Sequence, residues 1–173
     1  MEERKSISHV SAGLIIAGLL VVYSLIIQFT GLMQNRAVGL LQYLVIFGGL
    51  IYFINQYGKA HNYTVSFGNL FAYGFKSTAV FTIINIAFLI ILFVAFPDLK
   101  EKTFEIARQQ MEGNPKVSED DIDKAIDIAR RFFWVGLIGG TMLLYIILGA
   151  IGSLIGAAVT KKRPHNPLDQ LSV

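Results

Sequence analysis

The residues STAVFTIINIAFLIILFVAF, Ser77 to Phe96, run for twenty positions without one charged side chain. A bilayer's hydrocarbon core is about 30 Å thick and an α-helix rises about 1.5 Å per residue, so about twenty apolar residues make one crossing. The same ruler picks out three further segments, Val10 to Phe29, Ala37 to Ile54 and Phe132 to Thr160. Backbone polar groups in lipid must be satisfied within their own segment, so each stretch is expected as a helix. An apolar content of 54% places the chain among membrane proteins rather than ordinary soluble domains.

The connectors set the order of crossing. Thr30 to Arg36, TGLMQNR, is short enough to force an antiparallel return, and Gly58 to Thr64, GKAHNYT, is a polar link to the next segment. The N-terminal apolar run exceeds the ~7–15 residues of a signal peptide's core and no A-x-A site follows, so it is read as a retained first span. Ahead of the third span, residues 66–76 place Phe67, Leu70, Phe71, Gly74 and Phe75 on one side of a helix and Asn69, Tyr73 and Lys76 on the other. That pattern predicts an interfacial helix ending where the span 77–96 begins. Lys76 then has two readings. It anchors the span by raising its ammonium to the headgroups, or residues 66–96 form one helix and Lys76 faces a wet interior, where it contacts an anionic group.

Pro97 ends the third span, because proline disfavours helix at the residue before it and suits the first turn of the next. Residues 98–131 carry seven basic and nine acidic side chains and read as a helical hairpin outside the membrane. Gly113-Asn114-Pro115 separates its arms, and Ser118 with Asp121 has the spacing of a helix N-cap. The stripe Ile122, Ala125, Ile126 and Ala129 is expected to run on unbroken into Phe132. It either meets a partner or packs on Phe104, Ala107 and Met111 of the first arm. Residues 161–173, with two prolines, read as a disordered tail.

In the fourth span Gly152 and Gly156 form a GxxxG pair beside Gly149, Ser153 and Ala157. Small residues let helices approach closely in lipid, either within one bundle or between two copies. The expected fold is thus all-α: an integral membrane four-helix bundle with a charged extramembrane hairpin between the third and fourth spans. Four spans put both termini on one side. The unneutralised Lys161-Lys162-Arg163 beyond the last span favours termini in the cytoplasm and the hairpin in the periplasm.

Taken together, the SFG of Ser66-Phe67-Gly68, Gly74, the FPD at Phe96-Pro97-Asp98 and MEGNPKVSEDDIDKAIDIARRF resemble the domain-of-unknown-function 4199 family of small bacterial membrane proteins, common in Bacteroidota. The resemblance covers nearly the whole chain. It implies a multi-pass protein of the cytoplasmic membrane and brings no activity, cofactor or catalytic residue.

The residues themselves offer little chemistry. With no cysteine, thiolate metal sites, thiol nucleophiles and disulfides are excluded, and no zinc, P-loop, serine-hydrolase or dinucleotide motif occurs. His9, His61 and His165 lack the spacing of a metal or haem site. The net charge of +3 lies mostly at span ends, which points to lipid headgroups rather than nucleic acid. No cofactor is expected. Asn85, near the middle of the third span, is expected to hydrogen-bond a neighbouring helix or, alternatively, a solute. Two classes of function follow: a non-enzymatic scaffold or assembly protein that meets a membrane-protein partner or a second copy through the hairpin, or a small oligomeric transporter or channel using Lys76 and Asn85 for an anionic or polar solute.

Overall fold

The computed structural model describes residues 6–30, 36–113, 115 and 117–161. Every regular element among them is helical: α1 (His9–Thr30), α2 (Arg36–Ala60), α3 (Phe67–Ala95), α4 (Pro97–Glu112), α5 (Glu119–Arg131) and α6 (Phe133–Val159). Four helices, α1, α2 from Val38 onward, α3 and α6, are long and apolar enough to cross a membrane. Most of the expected Thr30–Arg36 turn, at 31–35, and the tail beyond Lys161 lie outside the described residues.

Three boundaries differ from the sequence expectation, each for a local reason. α2 runs on past Ile54 to Ala60, since Asn55, Gln56 and Tyr57 do not break a helix. It stops where Asn62 and Tyr63 take left-handed φ values of 53° and 60°, and the Tyr63 N–H reaches back to the Gly58 carbonyl at 2.8 Å. That is a Schellman closure, with asparagine in the position that tolerates left-handed backbone. The interfacial helix of 66–76 and the span of 77–96 are one α-helix of 29 residues, because nothing between them lacks an N–H or fixes a turn. α5 and α6 are not continuous. Phe132, at φ −105° and ψ 18°, interrupts them, although its N–H still bonds Ile128 O at 3.0 Å and its carbonyl accepts from Gly136 N at 2.8 Å.

The chain divides into two compact units, Met1–Asn85 with Tyr145–Val173, and Ile86–Leu144. In the first, α1 buries Ala12, Ile16 and Leu20 at helical spacing, and α2 contributes Ile46, Leu50 and Ile54. The end of α6 carries the small-residue stripe Gly149, Gly152, Ser153 and Gly156, all buried. A Cβ on Gly149 would stand 2.7 Å from Thr78 Cβ of α3, and one on Gly156 would stand 2.6 Å from Ile54 Cδ1 of α2. The stripe is therefore occupied by helices of its own chain. α1 meets α3 as closely, with Gly13 set against Val80 and the Ser77 carbonyl.

The inward face of α3 keeps Leu70, Phe71 and Gly74 as expected, with Asn69 and Lys76 outside, and departs from the sequence reading at Tyr73, Phe67 and Phe75. Leu70, Tyr73, Gly74, Ser77 and Thr78 are buried, whereas Phe67 and Phe75 are exposed along with Asn69 and Lys76. Tyr73 thus shares a face with Leu70 and Gly74 instead of opposing them. Hydroxyls can turn inward because they bond their own helix: Ser77 Oγ donates to Tyr73 O at 2.9 Å and Thr78 Oγ1 to Gly74 O at 3.1 Å.

In the second unit, α4 and α5 share a small core of Phe104, Ile122 and Ile126, bordered by Ala107, Met111, Val117 and Phe133. Pro97 opens α4 at its first turn, and Ser118 caps α5 by accepting the Asp121 N–H at 3.3 Å. The Ser118 hydroxyl also donates to the Asp121 carboxylate at 2.7 Å. Arg130 bridges the two helices to Glu101 at 2.6 Å while its guanidinium lies 4.8 Å over the Phe104 ring. Arg108 pairs in the same way with Asp123. That hydrogen bond to Asp123 raises the Arg108 pKa still further above its already high range.

Candidate functional site

One end of the first unit brings together the entry to α1, the end of α2, the start of α3 and the end of α6. The Tyr73 O–H donates to the Ile7 carbonyl at 2.9 Å, which ties the α1 entry to α3. Tyr57 of α2 stacks on Tyr73, centroids 4.3 Å apart and planes within 13°. A Cβ on Gly58 would fall 2.7 Å from Thr160 Cγ2, so α2 and α6 also close on each other here. His61 turns back over Tyr57, ring centroids 4.4 Å apart, and its Nδ1–H donates to the Tyr57 carbonyl at 2.8 Å.

Between the entry to α1, the end of α2 and the start of α3 lies a cavity of about 190 Å³, lined by Ser6, Ile7, Ser8, His9, Tyr57, Asn69, Ala72, Tyr73 and Lys76. Lys76 and Asn69 are exposed at helical spacing on α3, while Tyr73 is buried beside them. Ser8 Oγ accepts the Ser11 N–H at 3.0 Å, and Ser66 Oγ accepts the Asn69 N–H at 3.3 Å. Side-chain hydroxyls thus serve the first turns of both α1 and α3. Among the described residues the lining offers an ammonium, an imidazole, an amide and hydroxyls but no carboxylate.

Lys76 and Asn85, proposed from sequence as polar contacts, are not brought together. Nine residues of helix separate them by about 14 Å along the axis. Asn85 is 2% exposed, and its Nδ2 donates to Phe81 O of its own helix at 2.9 Å. Ile122 and Ile126, expected as a partner face, are 2% and 6% exposed in the α4–α5 core, with Ala125 half-buried beside them. They do not form an accessible docking stripe. Sequence reasoning missed His9, Tyr57, Asn69 and Tyr73 as a group because they come from three helices. One signal was available: no aspartate or glutamate occurs between Glu3 and Asp98.

The class so defined is an all-helical protein among the described residues, with four helices of membrane-span length and apolarity and a polar pocket at one end of its first unit. Residues 11–162 match the model of the family described as "Protein of unknown function (DUF4199)", and the chain belongs to that family. Comparison with curated proteins and with solved structures finds no significant match.

Proposed function

We propose that this is a non-enzymatic, multi-pass protein of a bacterial inner membrane, a four-helix bundle whose α4–α5 hairpin stands outside the lipid and engages a membrane-protein partner or a second copy of the chain. The supporting observation is the self-sufficiency of α4 and α5. Their apolar residues pack on one another, and the ion pairs Arg108–Asp123 and Arg130–Glu101 join them. What remains outward is mostly charged, including Glu105, Glu112, Asp120, Lys124 and Asp127, with Ile128 exposed among them. Recognition on this reading is polar, since the stripe at Ile122 and Ile126 is closed. The charge distribution at the span ends favours both termini in the cytoplasm and the hairpin in the periplasm.

The test is cross-linking and recovery of partners from native membranes with three forms of the chain: wild type, one lacking residues 100–127, and one with Glu105, Glu112 and Asp120 changed to lysine. Wild type should recover a defined partner that both altered forms lose while remaining membrane-inserted. Identical recovery by all three would remove the hairpin from the function. The transporter reading gains support from the cavity beside Lys76. It loses support because Asn85 bonds its own helix and because Ala12, Ile16, Leu50 and Ile54, at most 1% exposed, fill the same unit.

A further inference from the structure

We propose that the cavity beside Lys76 binds a phosphate-type anion at the membrane boundary, carried on a lipid headgroup or free as inorganic phosphate. This goes beyond the interaction role assigned to α4 and α5 and does not depend on it. A cavity of about 190 Å³ holds roughly six waters' share of liquid volume, enough for a phosphate group with part of its shell. Its lining carries one fixed positive charge, the Lys76 ammonium, which has no ion-pair partner among the described residues. Around it stand the His9 ring, the Asn69 amide and the Tyr57 hydroxyl, each able to donate a hydrogen bond. A phosphate offers several acceptor oxygens to donors arriving from different elements, and lysine serves such groups as a point charge.

Electrostatics selects the sign. Among the described residues the lining has no carboxylate, and no acidic residue occurs between Glu3 and Asp98, so a cation would meet the Lys76 ammonium with no described carboxylate to offset it. The entry to α1, at Ser8 and His9, borders the cavity, which adds the positive end of one long helix. Depth selects the surroundings. Lys76 lies about a third of the way along α3 and immediately precedes the twenty uncharged residues Ser77 to Phe96, so a crossing made by those twenty residues would put its ammonium at the level of headgroup phosphates. Exposure of Lys76 leaves the site accessible from that boundary.

Full-length protein purified in a neutral detergent is titrated with phosphatidylglycerol, with phosphatidylcholine of equal chain length and, separately, with inorganic phosphate. Native mass spectrometry reads retained ligand and calorimetry reads affinity, with circular dichroism verifying that each variant is folded. Wild type should hold one phosphate-bearing ligand. Lys76→Gln should weaken it by about ten- to a hundredfold, the usual range for losing a charged hydrogen-bonding partner. Lys76→Arg should retain most of the affinity, and Tyr57→Phe should lose a few-fold. Lys59→Gln, which removes an exposed lysine of α2 outside the cavity lining, should change nothing. Lipid retention that inorganic phosphate does not displace assigns the headgroup as the source, and phosphate binding without lipid retention assigns the free ion. Absence of both, binding indifferent to Lys76→Gln, or an equal loss in Lys59→Gln would overturn the proposal.

Discussion

At the scale of single residues, the glycines of α6 divide by what faces them. A Cβ at Gly149 would crowd Thr78, whose Cβ would lie only 2.7 Å away and whose hydroxyl is bonded to Gly74 O, so the neighbour has little room to yield. Gly149→Ala should therefore destabilise the protein by about 1–3 kcal/mol in detergent unfolding, as overpacking usually does. Gly139 has nothing within 4 Å of such a Cβ. Gly139→Ala should be neutral or stabilising by about 0.4–1 kcal/mol in the same assay, through the lower entropy of the unfolded chain. Asn85 carries a second prediction. Its amide bonds its own helix rather than a visible solute site, so Asn85→Leu should shift stability by no more than about 1 kcal/mol. A loss several times larger would assign it a partner beyond Phe81.

Among elements, the α4–α5 pair has its own core, so its stability can be altered by itself. Phe104→Ala removes the ring that meets Ile122, Ile126 and Phe133 and should cost about 3–5 kcal/mol. Hydrogen exchange should show lost protection across α4 and α5. Ser118→Ala, which deletes the cap of α5, should cost about 1 kcal/mol. Disrupting Arg130–Glu101, both partly exposed, should cost at most about 1 kcal/mol through the ion pair itself. The sign of the Arg108 shift makes a pH statement. A group whose folded pKa is raised contributes its stabilisation in full below its unfolded value and loses it only as pH rises through the folded one. Arginine stays protonated far above neutral pH and the Asp123 bond raises its pKa further, so that bond should be unaffected between neutral pH and about pH 10. Exchange rates that collapse in that window, after correction for intrinsic chemistry, would contradict this.

For the whole molecule, the four apolar helices predict retention in vesicles after carbonate washing, with release only by detergent. The chain has no cysteine, so single introduced thiols report sidedness without background. Ser6→Cys and Glu112→Cys should label from opposite sides of the membrane with an impermeant reagent. Labelling from one side would contradict the proposed topology. The four apolar segments were legible because length and lack of charge are local properties: Ser77 to Phe96 is long and apolar enough to span a bilayer whatever its neighbours do. Helix punctuation was local too, in Pro97 at the head of α4 and Ser118 at the head of α5. The inward face of α3 and the difference between Gly139 and Gly149 were not legible. In water, burial sorts apolar from polar, so periodicity reveals the inner face. Where lipid is the solvent, Phe75 is at home outside and Ser77 inside, and that signal fades. The sequence alone determined how many apolar rods there are and where Pro97 and Ser118 open the next helices. Only the tertiary structure decided which small residues touch, and that His9, Tyr57, Asn69 and Lys76 share one cavity, because those distances arise between helices and no spacing along one helix encodes them.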